Sequence, residues 1–238
     1  MVLMGNELLS WNEKLNEFST SHNLFSLNPA WKFNDIIQQP GTKKYWIGIT
    51  DIGLAVYNDA TKKLSYPGHN VEKEPAVEQF ADIKNAGDFM FDRKGRLWFT
   101  SWDRKYCYVS CFDFKSPEPY IKNHGFVSTF KSYYEVNGFL EQEDGTIWIK
   151  GFKAFGYFKD KPKKFTLIPS SDDVAETGID YRHITCLFED SEHNVWIGTG
   201  NNGIFRINPS LQFFDNITHV SRETGKIGDG SPMTFSRD

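Results

Sequence analysis

The chain has 238 residues, 39% of them hydrophobic and 16% aromatic, with 21 phenylalanines and a formal net charge of −4. That length and apolar content suffice for a large buried core, and the slight acidity gives no basic field for a nucleic-acid partner. No run approaches the roughly 18–20 apolar residues that cross a bilayer, so no membrane contact is expected of this segment. The opening MVLMGNELLSW lacks a basic start, a long apolar centre and a small-residue cleavage site, and does not read as a signal peptide.

Along the chain one pattern is written four times. Residues 1–22, with GNELLSWNEKLNEFST, align with the late part of a copy and read as a partial one. Residues 32–68 hold the first complete copy: FNDIIQQ, PGTKK, YWIGI, TDIG, LAVYN and DATKKLSY. The second, 83–120, runs DFMFD, RKGR, LWFTS, WDRK, YCYVSCF, and the third, 134–168, runs VNGFLEQ, EDGT, IWIKG, FKAF, GYFKD, KPKKFTLI. The fourth, 182–216, is ITCLFED, SEHN, VWIGTG, NNG, IFRIN, PSLQ and FF, and residues 230–238 read as the first strand of another partial copy. Each copy has four short apolar runs broken by Gly, Asp, Asn or Pro clusters, which predicts four strands joined by tight turns. No window keeps a helical period, so helix is a minor component.

The copies are marked by Trp46, Trp98, Trp148 and Trp196, spaced 52, 50 and 48 residues apart. Four antiparallel strands recurring at that period predict an all-β fold, a β-propeller of four-stranded blades: four complete blades and two partial terminal ones. A twisted four-stranded sheet cannot bury both faces alone, so the tryptophan on each second strand is expected to fill the space between blades. Gly48, Gly53, Gly198 and Gly203 fit positions of positive φ or close backbone approach. The whole chain reads as one propeller domain. Two readings of its ends stand: a fragment of a larger ring, or two halves closing one blade, with the single C-terminal strand favouring the fragment.

Catalytic motifs are absent. The six histidines show no H-x-x-x-H pair, and there is no G-x-S-x-G elbow or phosphate-binding glycine loop. Asp190 to Asn194 place oxygen side chains like the start of a calcium loop, but Val195 stands where glycine is needed and Asn201 where glutamate is, so no metal is expected. Cys107 and Cys111 lie four apart on one predicted strand, about 13 Å at a rise of about 3.3 Å per residue, beyond disulfide reach. With Cys186 they read as buried thiols. No cofactor is expected.

In a four-strand meander the loops entering the first strand and those joining the second to the third share one face. That face collects Asn34, Asp35, Thr50 and Asp51, then Trp102, Asp103 and Arg104, then Lys153, Arg182, His183, Asn201 and Asn202. Trp102-Asp103-Arg104 offers an aromatic plane beside a charged pair, suited to a sugar ring, or else a packed indole beside a solvated turn. The segments 66–85, 119–135 and 169–181 are long and polar, and read either as recognition loops or as tolerated insertions.

At ITCLFEDSEHNVWIGTGNNGIFRINPS, residues 184–210, the chain resembles the two-component regulator propeller repeat, and WIGITDIGLAVYN around Trp46 matches it too. The copies around Trp98 and Trp148 match more loosely, with Thr100 and Lys105, or Lys150 and Phe155, at the glycine positions. The resemblance implies a seven-bladed ring in the periplasmic sensor region of a hybrid histidine kinase. It implies sensing of oligosaccharides or other small ligands without catalysis by the propeller, and a homodimer formed through the parent sensor. Alternatives are a propeller lyase acting on a small cyclic or sugar substrate, with His183 at its mouth, and a stand-alone interaction module using loops such as 66–85.

Overall fold

A computed structural model describes residues 2–4, 7–20, 28–104, 106–116, 118–126, 134–170, 179–200, 202–208 and 213–217. The partial copy expected at 230–238, and Lys105, lie outside them. The chain packs as two compact units, residues 1–126 and 127–238, and is β throughout except for one five-residue helix among the described residues.

In the first unit, β1 (Val2–Met4), β2 (Glu7–Asn12) and β3 (Glu17–Ser19) form a three-stranded meander. A four-stranded sheet follows: β4 (Phe33–Gln38), β5 (Lys44–Ile49), β6 (Gly53–Asn58) and β7 (Lys63–Ser65). After the helix α1 (Pro75–Gln79) comes a second, β8 (Ala86–Phe91), β9 (Leu97–Trp102), β10 (Cys107–Phe112) and β11 (Ile121–Gly125). Strand β11 falls beyond residue 120, inside the stretch 119–135 read as a linker. The second unit repeats the plan with β12 (Glu135–Glu141), β13 (Ile147–Phe152), β14 (Phe155–Lys159) and β15 (Lys164–Leu167). Its other sheet is β16 (Ile184–Glu189), β17 (Val195–Thr199), β18 (Ile204–Asn208) and β19 (Phe213–Ile217). Every sheet is an antiparallel meander in sequence order, as propeller blades are.

The four repeat tryptophans all stand on second strands, and two visibly join blades. Trp46, Leu54 and Val56 pack with Ala86, Leu97, Phe99 and Phe112 of the next sheet; Trp148 and Phe155 pack with Ile184, Val195, Ile197 and Phe205. Trp46 and Trp98 are fully buried, whereas Trp196 is half-buried under Arg206, whose guanidinium lies 5.9 Å from the ring. The segment 66–85 has an exposed side and a buried one. It folds α1 into the first unit's core, burying Ala76, Val77, Phe80 and Ile83, with Phe80 edge-on to Phe99 at 4.9 Å. Asn70 holds the helix start, accepting from the Glu74 amide at 2.9 Å and donating to the Glu74 carbonyl and the Glu78 carboxylate.

Gly48 and Gly53 are required by close approach. A Cβ on Gly48 would lie 2.1 Å from the Ala86 carbonyl oxygen, and one on Gly53, at φ +100°, 2.2 Å from that of Ile83. Gly203 adopts φ +77°. Gly198 sits within β17, as Gly48 does within β5, and its carbonyl accepts from Thr185 Oγ1.

A second repeated device accompanies each tryptophan. The indole N–H of Trp46 donates to Gln39 Oε1, that of Trp98 to Asp92 Oδ2, that of Trp148 to Gln142 Oε1 and that of Trp196 to Asp190 Oδ2, at 3.1, 2.8, 2.5 and 2.7 Å. The same residues close the first turn through their backbone, as in Gly95 N–H to Asp92 O and His193 N–H to Asp190 O. In the fourth copy Asp190 also accepts from the Glu192 and Asn194 amides. Its carboxylate, pushed up by burial but outweighed by hydrogen bonds from Asn194, Trp196 and Glu192, is held below the usual range. Among the described residues no cluster suited to a metal ion is found, and Cys107, Cys111 and Cys186 are buried without disulfides.

Candidate functional site

The candidate residues sit on seams between successive sheets of each unit, and the seams are built alike. Each first strand carries a register break at the same place: at Phe33/Asp35, Gly87/Met90, Val136/Phe139 and Ile184/Cys186. A bulge inserts one residue and re-aims its side chain. The residues so inserted include Asn34, Asp88, Asn137 and Thr185, all polar.

In the first unit Asn34 accepts from Thr50 Oγ1 at 3.0 Å and donates across the seam to the Ala86 carbonyl at 3.0 Å. Asp35 accepts from the Phe89 N–H at 2.6 Å and from its neighbour Ile36 at 2.7 Å. Burial raises the Asp35 pKa, and those two amides oppose the rise. The turn after β5 is stitched to the lead-in of β8 by Asp51 N–H to Asn85 Oδ1, while Asn85 Nδ2 donates to the Trp102 carbonyl at 3.0 Å.

At this seam a cavity of about 520 Å³ opens. Trp102, Asp103 and Arg104 line it, with Asp51 from the preceding sheet and Asp82 to Asn85 from the lead-in. Ser101, Tyr108 and Asn123 complete it. Of the two readings of Trp102, the packed indole has direct geometric support, and the residue also lines the cavity. A Cβ added at Gly87 would touch two atoms of the Trp102 ring at 3.4 Å, so the indole lies over β8. Strand alternation puts Ser101 on the opposite sheet face. There Ser101 pairs in register with Tyr108, whose hydroxyl donates to Asp103 Oδ2 at 3.1 Å. Burial and the Asp103 carboxylate both push the Tyr108 phenol up. Sequence reasoning missed Tyr108, Ser101, Asn85 and Asn123.

In the second unit Lys153, Arg182 and His183 do come together, around Phe152. The Lys153 amide donates to the Arg182 carbonyl at 2.9 Å, the guanidinium lies 5.6 Å from the Phe152 ring, and Phe152 bridges to His183. Lys153 holds φ +52°, a left-handed conformation like that of Asp51 at +63° in the equivalent turn. His183 Nε2 meets Asn137 Nδ2 at 3.1 Å, and Lys150 Nζ donates to Asn137 Oδ1 at 3.3 Å. Burial, then the Lys150 charge, lower the His183 pKa, against a smaller pull from Glu135. Asn202 braces its turn, donating from Nδ2 to the Asp180 carbonyl and from its amide to Thr199 Oγ1. Asn201 lies outside the described residues.

Residues 178–201 match the family model described as "Two component regulator propeller". That match lies within one repeat of the chain. The match covers the turn, the Asp190 latch and the W-I-G-T strand of the fourth copy. Among solved structures, the chain is similar to the extracellular domain of a one component system from B. thetaiotaomicron, with TM-score 0.64 and 13% identity over 98% of this chain and 28% of that one. It is also similar to the extracellular domain of a hybrid two component system from the same organism, with TM-score 0.55 and 15% identity over 88% and 24%. A third likeness is to PorZ, a surface component of the type-IX secretion system of Porphyromonas gingivalis, with TM-score 0.58 and 12% identity over 90% and 31%. At such identities these likenesses establish the propeller fold, and the chain spans less than a third of each of those structures. No curated protein matches the chain. Among the described residues no helix is long and apolar enough to cross a membrane.

Proposed function

We propose that this chain is a ligand-sensing segment of an extracellular, periplasmic sensor propeller that binds an oligosaccharide or other small polar ligand and carries out no chemistry itself. The observation that carries the reading is the regulator repeat at residues 178–201, set in a chain whose every complete sheet repeats the same blade plan. The likeness to extracellular domains of one- and two-component systems supports the compartment and the signalling role. The polar seam cavity, with its mix of carboxylates, amides and one phenol, supports a hydroxylated ligand.

The lyase alternative draws little from His183, which is tied to Asn137 and shielded by Lys150. The interaction-module alternative rests on the exposed side of 66–85, where Val71 is 46% exposed, while Phe80 and Ile83 anchor the segment in the core. The test is calorimetric titration of the full chain with a panel of neutral oligosaccharides, with product analysis of each mixture. Binding without turnover supports sensing. Release of an unsaturated or shortened product makes it an enzyme, and silence across the panel with a stoichiometric protein partner makes it an interaction module.

A further inference from the structure

We propose that a second cavity of the first unit, walled by Trp31, Tyr66 and His69, is a binding site for a small carboxylate with a flat apolar body, an aryl or arylalkyl acid. It shares no described lining residue with the polar seam cavity and goes beyond the oligosaccharide reading. Its volume of about 540 Å³ lies within the range of small-molecule sites, about 300–1,000 Å³.

Three rings meet along one wall. The Trp31 and Tyr66 centroids lie 5.2 Å apart at 76°, and those of Tyr66 and His69 lie 5.1 Å apart at 33°. Local backbone structure fixes these rings. Tyr66 and His69 close a four-residue turn by exchanging both backbone hydrogen bonds, at 3.2 and 2.8 Å, and Pro67 followed by Gly68 at φ +83° suits a type II turn. Trp31 is set by the turn before it: its amide donates to the Asn28 carbonyl at 3.0 Å, and the Ala30 amide donates to Asn28 Oδ1 at 3.0 Å. Behind the wall, Trp31, Leu64 and Tyr66 pack on the core cluster that holds Phe33 and Tyr57. Rings already held in place lose little further freedom when a ligand binds. Val71, 46% exposed, extends the apolar lining.

The charge of the lining is one-sided. Lys62 and Lys63 bring two cations, and the described lining residues include no aspartate or glutamate. Asp59 already holds the Lys62 ammonium at 2.5 Å, so Lys63, exposed at the next position, is the ammonium assigned to the ligand. Glu72, whose carboxylate feels the Lys63 charge, already accepts from Thr61 Oγ1 at 2.6 Å and Asn58 Nδ2 at 2.9 Å. An ammonium at the edge of an aromatic wall selects a ligand that is apolar at one end and anionic at the other.

The experiment titrates the full chain with indole-3-acetate, with indole-3-acetamide as its neutral counterpart and tryptamine as its cationic one, followed by calorimetry and saturation-transfer NMR. Indole-3-acetate binds at millimolar concentration or tighter, the amide binds more weakly, and tryptamine most weakly. Lys63→Gln lowers the affinity for the acid about 2–5-fold, as loss of an exposed charge pair does, and leaves the amide unchanged, which a merely structural lysine would not do. Raised salt narrows the same gap. Trp31→Ala weakens acid and amide alike, by about 5-fold or more. Trp11→Ala, which removes an indole 46% exposed elsewhere in the unit, changes neither. The proposal is overturned if indole-3-acetate does not bind, if the amide or tryptamine binds as tightly, if Lys63→Gln keeps the preference for the acid, or if Trp11→Ala weakens binding as much as Trp31→Ala.

Discussion

Replacing Asp92 by Ala tests whether the indole latches hold the blades together. Asp92 and Arg96 are 4% and 3% exposed, and Asp92 Oδ2 accepts from Arg96 Nε at 2.6 Å and from Trp98 Nε1 at 2.8 Å. Its Oδ1 accepts from the Arg96 and Lys94 amides at 2.9 and 3.0 Å, closing the turn. The guanidinium is further sandwiched, 4.6 Å from the Tyr120 ring and 5.5 Å from Trp98. Removing the carboxylate takes the 2.6 Å ion pair from the buried guanidinium and the 2.8 Å hydrogen bond from the indole N–H. Breaking a buried pair from one side costs about 3–5 kcal/mol. With a urea m-value of about 2 kcal/mol/M, the unfolding midpoint falls by about 2 M with m unchanged. Pairing Asp92→Leu with Arg96→Met recovers most of the loss, because the desolvated charge goes as well. Gln39→Ala, which orphans the Trp46 indole but strands no charge, costs only about 1–3 kcal/mol. Tryptophan fluorescence through a urea titration reads all of these. A loss below about 1 kcal/mol in Asp92→Ala, or one no larger than in Gln39→Ala, refutes the argument.

Gly48→Ala places a methyl against the Ala86 carbonyl, where its Cβ would lie at 2.1 Å; it forces the two sheets apart and lowers stability by about 3 kcal/mol or more, read from the same titration. Asn70→Ala frees the start of α1 from two hydrogen bonds to Glu74 and one to Glu78, and costs about 1–2 kcal/mol, with faster amide exchange at Phe80. Acidification destabilises the second unit through His183. Its pKa is depressed in the folded chain, so the unfolded chain binds more protons as pH falls through the unfolded value of about 6.5, and stability is lost below that point. Lys150 sharpens this and Glu135 opposes it. His183→Gln therefore flattens the stability profile between about pH 7 and 5, and an unchanged slope refutes the assignment.

The blade plan was legible because it is a matter of period: one tryptophan on every second strand, with apolar alternation on either side, needs no knowledge of what touches what. The looser glycines of the second and third copies did not spoil it. Thr100 at such a position simply turns its hydroxyl to Asp88 Oδ2 at 2.6 Å, and Lys150 reaches the Asn137 bulge. Helix α1 escaped notice because five residues cannot display a helical period, and β11 because the SPEPY insertion separates it from the rest of its blade. The latch residues had a readable signal, a Gln or Asp six or seven positions before each tryptophan, but spacing alone does not say that the side chain turns back to the indole.

The site was less legible for a more basic reason. Trp102, Asp103 and Arg104 could be singled out because they depart from the repeat, whereas Ser101 and Tyr108 conform to it and look like ordinary strand residues. Their meaning comes from pairing across β9 and β10, and from Asn85 arriving along a separate lead-in, none of which is encoded locally. Alternation separates the two: Trp102, one residue beyond Ser101, lines the cavity while its ring packs on Gly87. The irregular residue packs on the strand beside it, and the regular one is buried with a hydroxyl that has no hydrogen-bond partner among the described residues. In a repeat protein the scaffold is constrained at every blade, so specificity can reside in a conforming position that happens to lack a partner.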